Sequence, residues 1–350
     1  MSKPSSVFST FDPKAVGQLG HGIFGLPFDA NSAETVIVSV PWEVTTSYGE
    51  GTADGPDAVF VASAQVDLYH PDFAEAWKSG IALSPIETAW NIESTRLKAK
   101  AMMIIDAQAD GVDIEENAEL SAALDEINAA CAHLHDEVDA QVTQWLKQGK
   151  RVGLLGGDHS VSLGALRAMS RVYPEFGVLQ IDAHMDLRDA YEGFTYSHAS
   201  IMFNALAIPE IKSLVQVGIR DCCEAEMAVA HVDSRVHVVM DQAIKEAGFL
   251  GKTWKSQCDE IIGRLPQHVY ISFDIDGLHP SLCPNTGTPV PGGLQLEEVN
   301  FLFKQLVMSG RKIIGFDLVE VSPGDGDWDA NVGARVLYSL FGYSWASNPK

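Results

Sequence analysis

With 350 residues, 46% of them hydrophobic and 20% charged, the chain has the make-up of a globular protein. It is long enough for one large α/β domain or two small ones. A formal net charge of −23 argues against a nucleic-acid partner, and no apolar run approaches the roughly 18–20 residues that cross a bilayer. The opening MSKPSSVFSTFDPK lacks the basic start and apolar stretch of a secretory signal, so a cytoplasmic location is expected.

The first 30 residues, with Gly and Pro scattered through them, read as an irregular N-terminal arm on the surface, and residues 31–350 as a single domain. Thr35–Val40 (TVIVSV) opens a series of short β-branched runs expected to be buried strands. The longest helical pattern covers Glu116–Lys147 and stops before Gly149, a residue suited to a helix end. A strand at Arg151–Leu155 and a helix over Ser160–Val172 follow. Strands are then expected at Gly177–Asp182, Leu214–Ile219 and Val236–Met240, and a helix at Thr253–Leu265. The chain closes with a strand at Val269–Asp274, a helix at Leu296–Met308, a strand at Lys312–Leu318 and a helix at Ala330–Leu340. Strands apolar throughout, rather than alternating, are covered on both faces, as in a parallel sheet. The implied fold class is α/β, a three-layer α/β/α sandwich with a mostly parallel central sheet. Cys131, Cys222, Cys223, Cys258 and Cys283 are odd in number and form no C-x-x-C pair, so they read as reduced, mostly buried thiols.

Four polar segments each follow an expected strand: GGDHS (Gly156–Ser160), DAHMD (Asp182–Asp186), SFDIDGLH (Ser272–His279) and DLVEVS (Asp317–Ser322). The C-terminal ends of strands are where open α/β sheets carry their sites. In extended chain, residues two apart share a side, which would bring Asp182, His184 and Asp186 together and Asp274 with Asp276. A lone D-x-H often only caps a turn, and GGDHS alone could be a glycine turn with Asp158 or Ser160 capping the next helix. Jointly, with His159, the segments supply four carboxylates and two imidazoles, a formal charge of −4 that two divalent ions would balance. Two metals sharing carboxylates form an arrangement that activates water.

GGDHS, DAHMD, SFDIDGLHP and the later GTPVPGG (Gly287–Gly293) resemble the signature blocks of the ureohydrolase superfamily, which includes arginase, agmatinase, guanidinobutyrase, formimidoylglutamase and guanidine hydrolase. The resemblance covers residues 35–342 in the family's order and spacing. It implies an arginase-like fold with a dinuclear metal centre. His159 and Asp186 would hold one ion and His184 and Asp276 the other, with Asp182 and Asp274 bridging. Mn(II) is the metal the family implies; Ni(II) suits the same oxygen and imidazole donors, and the absence of thiolate disfavours structural zinc. The implied assembly is a homotrimer or homohexamer. Glu320 matches the glutamate that pairs with a guanidinium. His198, in YSHAS, matches a histidine that relays protons to a leaving amine. Asp158 would orient a ligand from behind.

The substrate tail is a separate question. Arg188 stands where arginases carry an asparagine, and it would repel the ammonium of agmatine. It suits a carboxylate tail, or it pairs internally with Asp189 or Glu192. Thr46, Ser47, Tyr48, Trp42 and Trp328 could narrow the pocket, although a tryptophan is as readily core packing. His279 replaces an aspartate common among relatives. The expected reaction is hydrolysis of a small guanidino compound to urea, with free guanidine first, short guanidino acids second and agmatine third. Rival readings are a single-zinc deacetylase on the same fold, a phosphoesterase, and a non-catalytic metal-binding relative.

Overall fold

A computed structural model describes residues 11–13, 21–85 and 87–348. The strands are β1 (Thr35–Val40), β2 (Ile81–Leu83), β3 (Arg151–Gly156), β4 (Phe176–Ile181), β5 (Ile211–Ile219), β6 (Val236–Met240), β7 (His268–Asp274) and β8 (Lys312–Val319). They form one sheet in the order β2-β1-β3-β8-β7-β4-β5-β6, and every pairing between neighbours is parallel. The helices are α1 (Gly55–Ser63), α2 (Thr88–Ala109), α3 (Ala118–Lys147), α4 (Ser162–Ser170), α5 (Ile201–Ala205), α6 (Glu224–Val232), α7 (Asp241–Phe249), α8 (Trp254–Gly263), α9 (Leu296–Met308) and α10 (Trp328–Ser347).

The strands other than the edge strand β2 feed two apolar layers, one on each face of the sheet. Val36, Val38 and Val40 of β1 pack with α2, α3 and α4, whereas Ile37 joins the layer under α1, α8, α9 and α10. On β7 the division is Tyr270 against Val269, Ile271 and Phe273. This double coverage is why the strands are apolar throughout. Each such side chain contributes about 1.5–3 kcal/mol on burial.

Seven of the eight strands lie where the sequence places them, with ends shifted by at most three residues. β2 escaped because it is a three-residue edge strand paired only with β1. α2 escaped for a different reason. Its buried stripe, Trp90, Ser94, Leu97, Ala101 and Ile104, has helical spacing, but Ser and Ala dilute its hydrophobicity. The last helix outruns its expected span and ends at Ser347. Residues 1–10 and 14–20 of the expected arm lie outside the described residues. The part from 21 to 30 is not a surface arm, because Ile23, Phe24 and Leu26 are buried in the α10-side layer. Their apolarity, set among Gly and Pro, is a packing signal rather than a loop signal.

The sheet order positions the site. β3, β8, β7 and β4 are the four central strands. Leu155, Leu318, Phe273 and Ile181 stand level across them. Residues just beyond that row, from segments far apart in sequence, therefore meet on one rim.

Candidate metal centre

On that rim His159 Nδ1 lies 2.9 Å from Asp186 Oδ2, 3.2 Å from Asp182 Oδ2 and 3.5 Å from Asp274 Oδ2. His184 Nδ1 lies 3.0 Å from Asp276 Oδ2 and 3.6 Å from Asp182 Oδ1. Asp182 thus faces both imidazoles, one through each oxygen. His159, Asp182 and Asp274 form one group able to hold a cation, and Asp182, His184 and Asp276 form a second. All six residues are buried except His184, which is partly exposed.

The side chains converge by a route other than extension. β4 ends at Ile181, and Asp182–Asp186 is irregular chain in which Asp186 takes a left-handed backbone, φ 55°. β7 ends at Asp274, which accepts from Asp276 N–H at 2.8 Å across a 3₁₀ turn over Ile275–Gly277. A tight turn, not a continued strand, sets these two side by side. Left-handed φ at a non-glycine residue costs on the order of 1–3 kcal/mol and concentrates at functional sites. Glu320, φ 61°, is a second case on the same rim.

The donor set fits divalent cations. His159 Nε2 is 2.8 Å from Ser272 Oγ, whose hydroxyl donates to Asp317, and Ser272 can then accept only an N–H from the ring. That leaves the Nδ1 lone pair facing three carboxylate oxygens with no hydrogen bond of its own. Lone pairs opposed in this way repel unless a cation lies among them. The titration shifts follow from the same crowding. A proton can be that cation: burial would lower the His159 imidazole, but Asp182, Asp186 and Asp274 hold it well above its usual range. Burial and the Asp182 charge push Asp186 up to about 7, and burial with Asp276 and Asp182 holds Asp274 well above the carboxylate range. His184, despite burial, is pushed up to about 12 by Asp276 and Asp182.

Outer groups hold the ligands in place. Gln180 Nε2 donates to Asp182 Oδ2 at 2.8 Å, and Gln216 Nε2 donates to Gln180 Oε1 and to the Met185 carbonyl. Ala183 N–H donates to Asp276 Oδ1 at 3.0 Å, and His184 N–H to Asp182 Oδ1 at 2.6 Å. The Arg220 guanidinium binds the carbonyls of Asp276, Leu278 and Val290, tying the SFDIDGLH turn to GTPVPGG. The sequence reading missed Ser272, Gln180, Gln216 and Arg220. A signal existed for the first two: each is a polar residue in an apolar strand, two positions before a ligand and hence on its side of the sheet.

Glu320 follows β8; its Oε1 accepts from His159 N–H at 2.8 Å and its own N–H donates to Gly157 O at 2.8 Å. Burial and the nearby Asp158 hold its carboxyl well above the usual range. Asp158, rather than Ser160, caps the turn into α4: its Oδ1 accepts from the Ser160 N–H and hydroxyl, and its buried Oδ2 has no partner. Burial pushes it up to about 6. Asp158 makes no hydrogen bond to the side chain of a candidate ligand among the described residues. Gly157 is required here, since a Cβ would stand 2.1 Å from Trp42 O. His198 is partly buried; its backbone N–H donates to Thr45 Oγ1, and its ring Nδ1 is 3.4 Å from that oxygen. Burial and the His184 charge push its imidazole down to about 3.

Arg188, Thr46 and Trp328, expected to read a substrate tail, are each engaged by other groups. Arg188 pairs with neither Asp189 nor Glu192; its Nε lies 3.7 Å from Glu226 Oε2 and its guanidinium stacks 4.7 Å over the Tyr191 ring. Thr46 is buried, and Lys98 of α2 donates to both its carbonyl and its hydroxyl. Trp328 is half exposed and spends its indole N–H on Ser281 O. Trp42 is core packing, Tyr48 points into solvent, and His279 accepts from Ser281 N–H within its own turn. The five cysteines are all free. No helix among the described residues is long and apolar enough to cross a membrane.

Comparison with known proteins agrees with this geometry. The chain is 30% identical to the N(1)-aminopropylagmatine ureohydrolase of Thermus thermophilus over 311 residues, covering 89% of this chain and 90% of that one. It is 28% identical to the agmatinase of Proteus mirabilis, covering 89% and 87%. The fold is shared with proclavaminate amidino hydrolase from Streptomyces clavuligerus (TM-score 0.69, 23% identity, covering 96% and 100%) and with agmatine ureohydrolase of Thermoplasma volcanium (TM-score 0.67, 24% identity, covering 96% of each). Residues 33–342 match the model of the arginase family, nearly the whole described chain, and the protein belongs to that family.

Proposed function

We propose that the protein hydrolyses a small guanidino compound to urea, with free guanidine the first candidate. The observation that carries the reaction class is Glu320, held on the same rim as the two imidazole–carboxylate groups with a carboxylate available for a guanidinium. In this reading His159 and Asp186 hold one divalent ion and His184 and Asp276 the other, with Asp182 and Asp274 between them. Mn(II) is the first candidate metal and Ni(II) the second. Such a pair supplies, when bound, water acidified enough to attack at neutral pH.

The chain's own groups do the rest. Glu320 pairs with guanidinium N–H groups. The unpartnered Asp158 Oδ2, a second carboxylate nearby, deepens the preference for a cation at this spot. His198, hydrogen-bonded to Thr45, would in this reading relay a proton to the departing nitrogen.

Free guanidine ranks first because the mouth offers little for a tail. Arg188 is engaged by Glu226 and Tyr191, and Thr46 is engaged by Lys98. Short guanidino acids such as 4-guanidinobutyrate rank second and agmatine third. A cytoplasmic homotrimer or homohexamer completes the proposal, the assembly to be checked by light scattering.

The deciding experiment measures urea from guanidine, 4-guanidinobutyrate, 3-guanidinopropionate, agmatine and arginine, on protein loaded with Mn(II) or Ni(II). Urea from guanidine above the others is the expected result. No urea from any of them, with two ions bound per chain, would overturn the reading.

A further inference from the structure

Lys98 belongs to no motif block, yet its ammonium ends at the site. It lies on α2 beside the buried stripe, and that helix meets the 41–54 loop twice. Ser94 Oγ accepts from Glu43 N–H at 2.9 Å, and Lys98 donates to the Thr46 carbonyl and hydroxyl. The loop is itself rigid. Glu43 Oε2 accepts from Gly51 N–H, the Thr52 hydroxyl and Ala53 N–H, and Gly49 packs so close to Gly287 that a Cβ would stand 2.5 Å from the Gly287 carbonyl. Thr46 therefore offers a fixed seat, and two of the three ammonium donors are used on its carbonyl and hydroxyl.

Lys98 is only half exposed, and among the described residues it makes no ion pair. Glu43, Asp158, Glu50 and Glu320 surround it at longer range, and its charge also reaches His198 and Glu192. The carboxylates outnumber it, so the pocket still favours one guanidinium. A second cation close to the ammonium is another matter. At about 6 Å and an effective dielectric constant of about 20, two like charges repel enough to cost roughly 100-fold in affinity.

We propose that Lys98 is a specificity-determining residue whose ammonium, seated on Thr46, excludes guanidino compounds with a tail ending in a second positive charge. The inference rests on the reading that Glu320 holds the guanidinium. Agmatine and aminopropylagmatine, for which several relatives are named, both carry such a tail.

Agmatine and 1-butylguanidine are tested as competitors of guanidine turnover, since their tails share a four-carbon chain and only agmatine's ends in a charge. Lys98→Gln keeps a donor for Thr46 and removes the charge; Lys98→Met and Lys98→Arg are made alongside, and thermal unfolding checks that each folds. In Lys98→Gln the ratio of the agmatine to the butylguanidine inhibition constant should fall about 10–100-fold, through tighter agmatine binding. Lys98→Met should behave in the same way and Lys98→Arg should keep the wild-type ratio. An unchanged ratio in folded Lys98→Gln or Lys98→Met overturns the inference, as does an equal change for both compounds, which is what a merely structural lysine would give. Wild-type protein that releases no urea from any guanidino compound overturns the underlying reading instead, and the inference with it.

Discussion

The floor and the mouth of the site are built on different principles. The floor consists of strand ends: four central strands brought level, their terminal carboxylates and imidazoles held by Gln180, Ser272, Asp317 and backbone N–H groups. The mouth consists of a loop braced by Glu43, one helix contributing Lys98, and the 188–198 segment with left-handed Ala190 and Glu192. Chemistry that needs placement to a few tenths of an ångström sits on the part that cannot move. Loops and helices can change without disturbing the sheet, and in the reading proposed above they are where selectivity would sit. One fold can thus keep a reaction and exchange its substrates.

Breaking the floor should give the largest effect. Asp182 faces both imidazoles, so Asp182→Asn should reduce bound metal below two ions per chain by elemental analysis. Urea release should fall by more than the roughly 10–100-fold typical of lost outer-sphere groups. Two ions retained at an undiminished rate would show that Asp182 is not shared. Ser272→Ala comes next. It strips the His159 ring of its anchor and should weaken metal affinity about 10–100-fold, with most of the rate restored at saturating metal.

His135 sharpens the comparison from beneath the mouth. It is buried on α3 against the Tyr196 ring, neither nitrogen has a partner, and burial pushes its imidazole down to about 3. Between pH 6.5, the ordinary histidine value, and about 3, the unfolded chain binds a proton that the folded chain refuses. The stability given by keeping this ring neutral is therefore complete above pH 6.5 and declines as pH falls. His135→Leu should remove about 1.4 kcal/mol per pH unit of that slope, seen as a flatter acid limb of the melting temperature. An unaltered limb would mean that the ring is hydrated in solution. The smallest effect is expected for Arg188→Ala. With its guanidinium already engaged, guanidine turnover should stay within about fivefold of wild type, and a steep selective loss with 4-guanidinobutyrate would show that it reads a carboxylate instead.

Much of the floor was readable in the sequence because unbroken apolar runs and the polarity at their ends are local signals. The seven longer strands show as apolar runs, and each ligand stands at or soon after a strand's end. The reason given for convergence needed correction, since Asp186 relies on a left-handed backbone and Asp276 on a 3₁₀ turn, neither of which composition announces. The mouth was far less readable. Asp189 and Glu192 were the internal partners open to Arg188 in the sequence, and Glu226, 38 positions later, is brought to it only by the packing of α6. Lys98 was passed over because its helix hides its stripe behind Ser94 and Ala101.

What the sequence determined by itself was the layered α/β architecture and the identity of the groups at the strand ends, since both follow from burial patterns and donor chemistry within a few residues. What only the tertiary structure decided was which strands stand side by side, which outer groups hold each candidate ligand, and which residue Lys98 is seated on. Those depend on contacts between residues tens to hundreds of positions apart, and no local pattern of side chains encodes a distance of that kind.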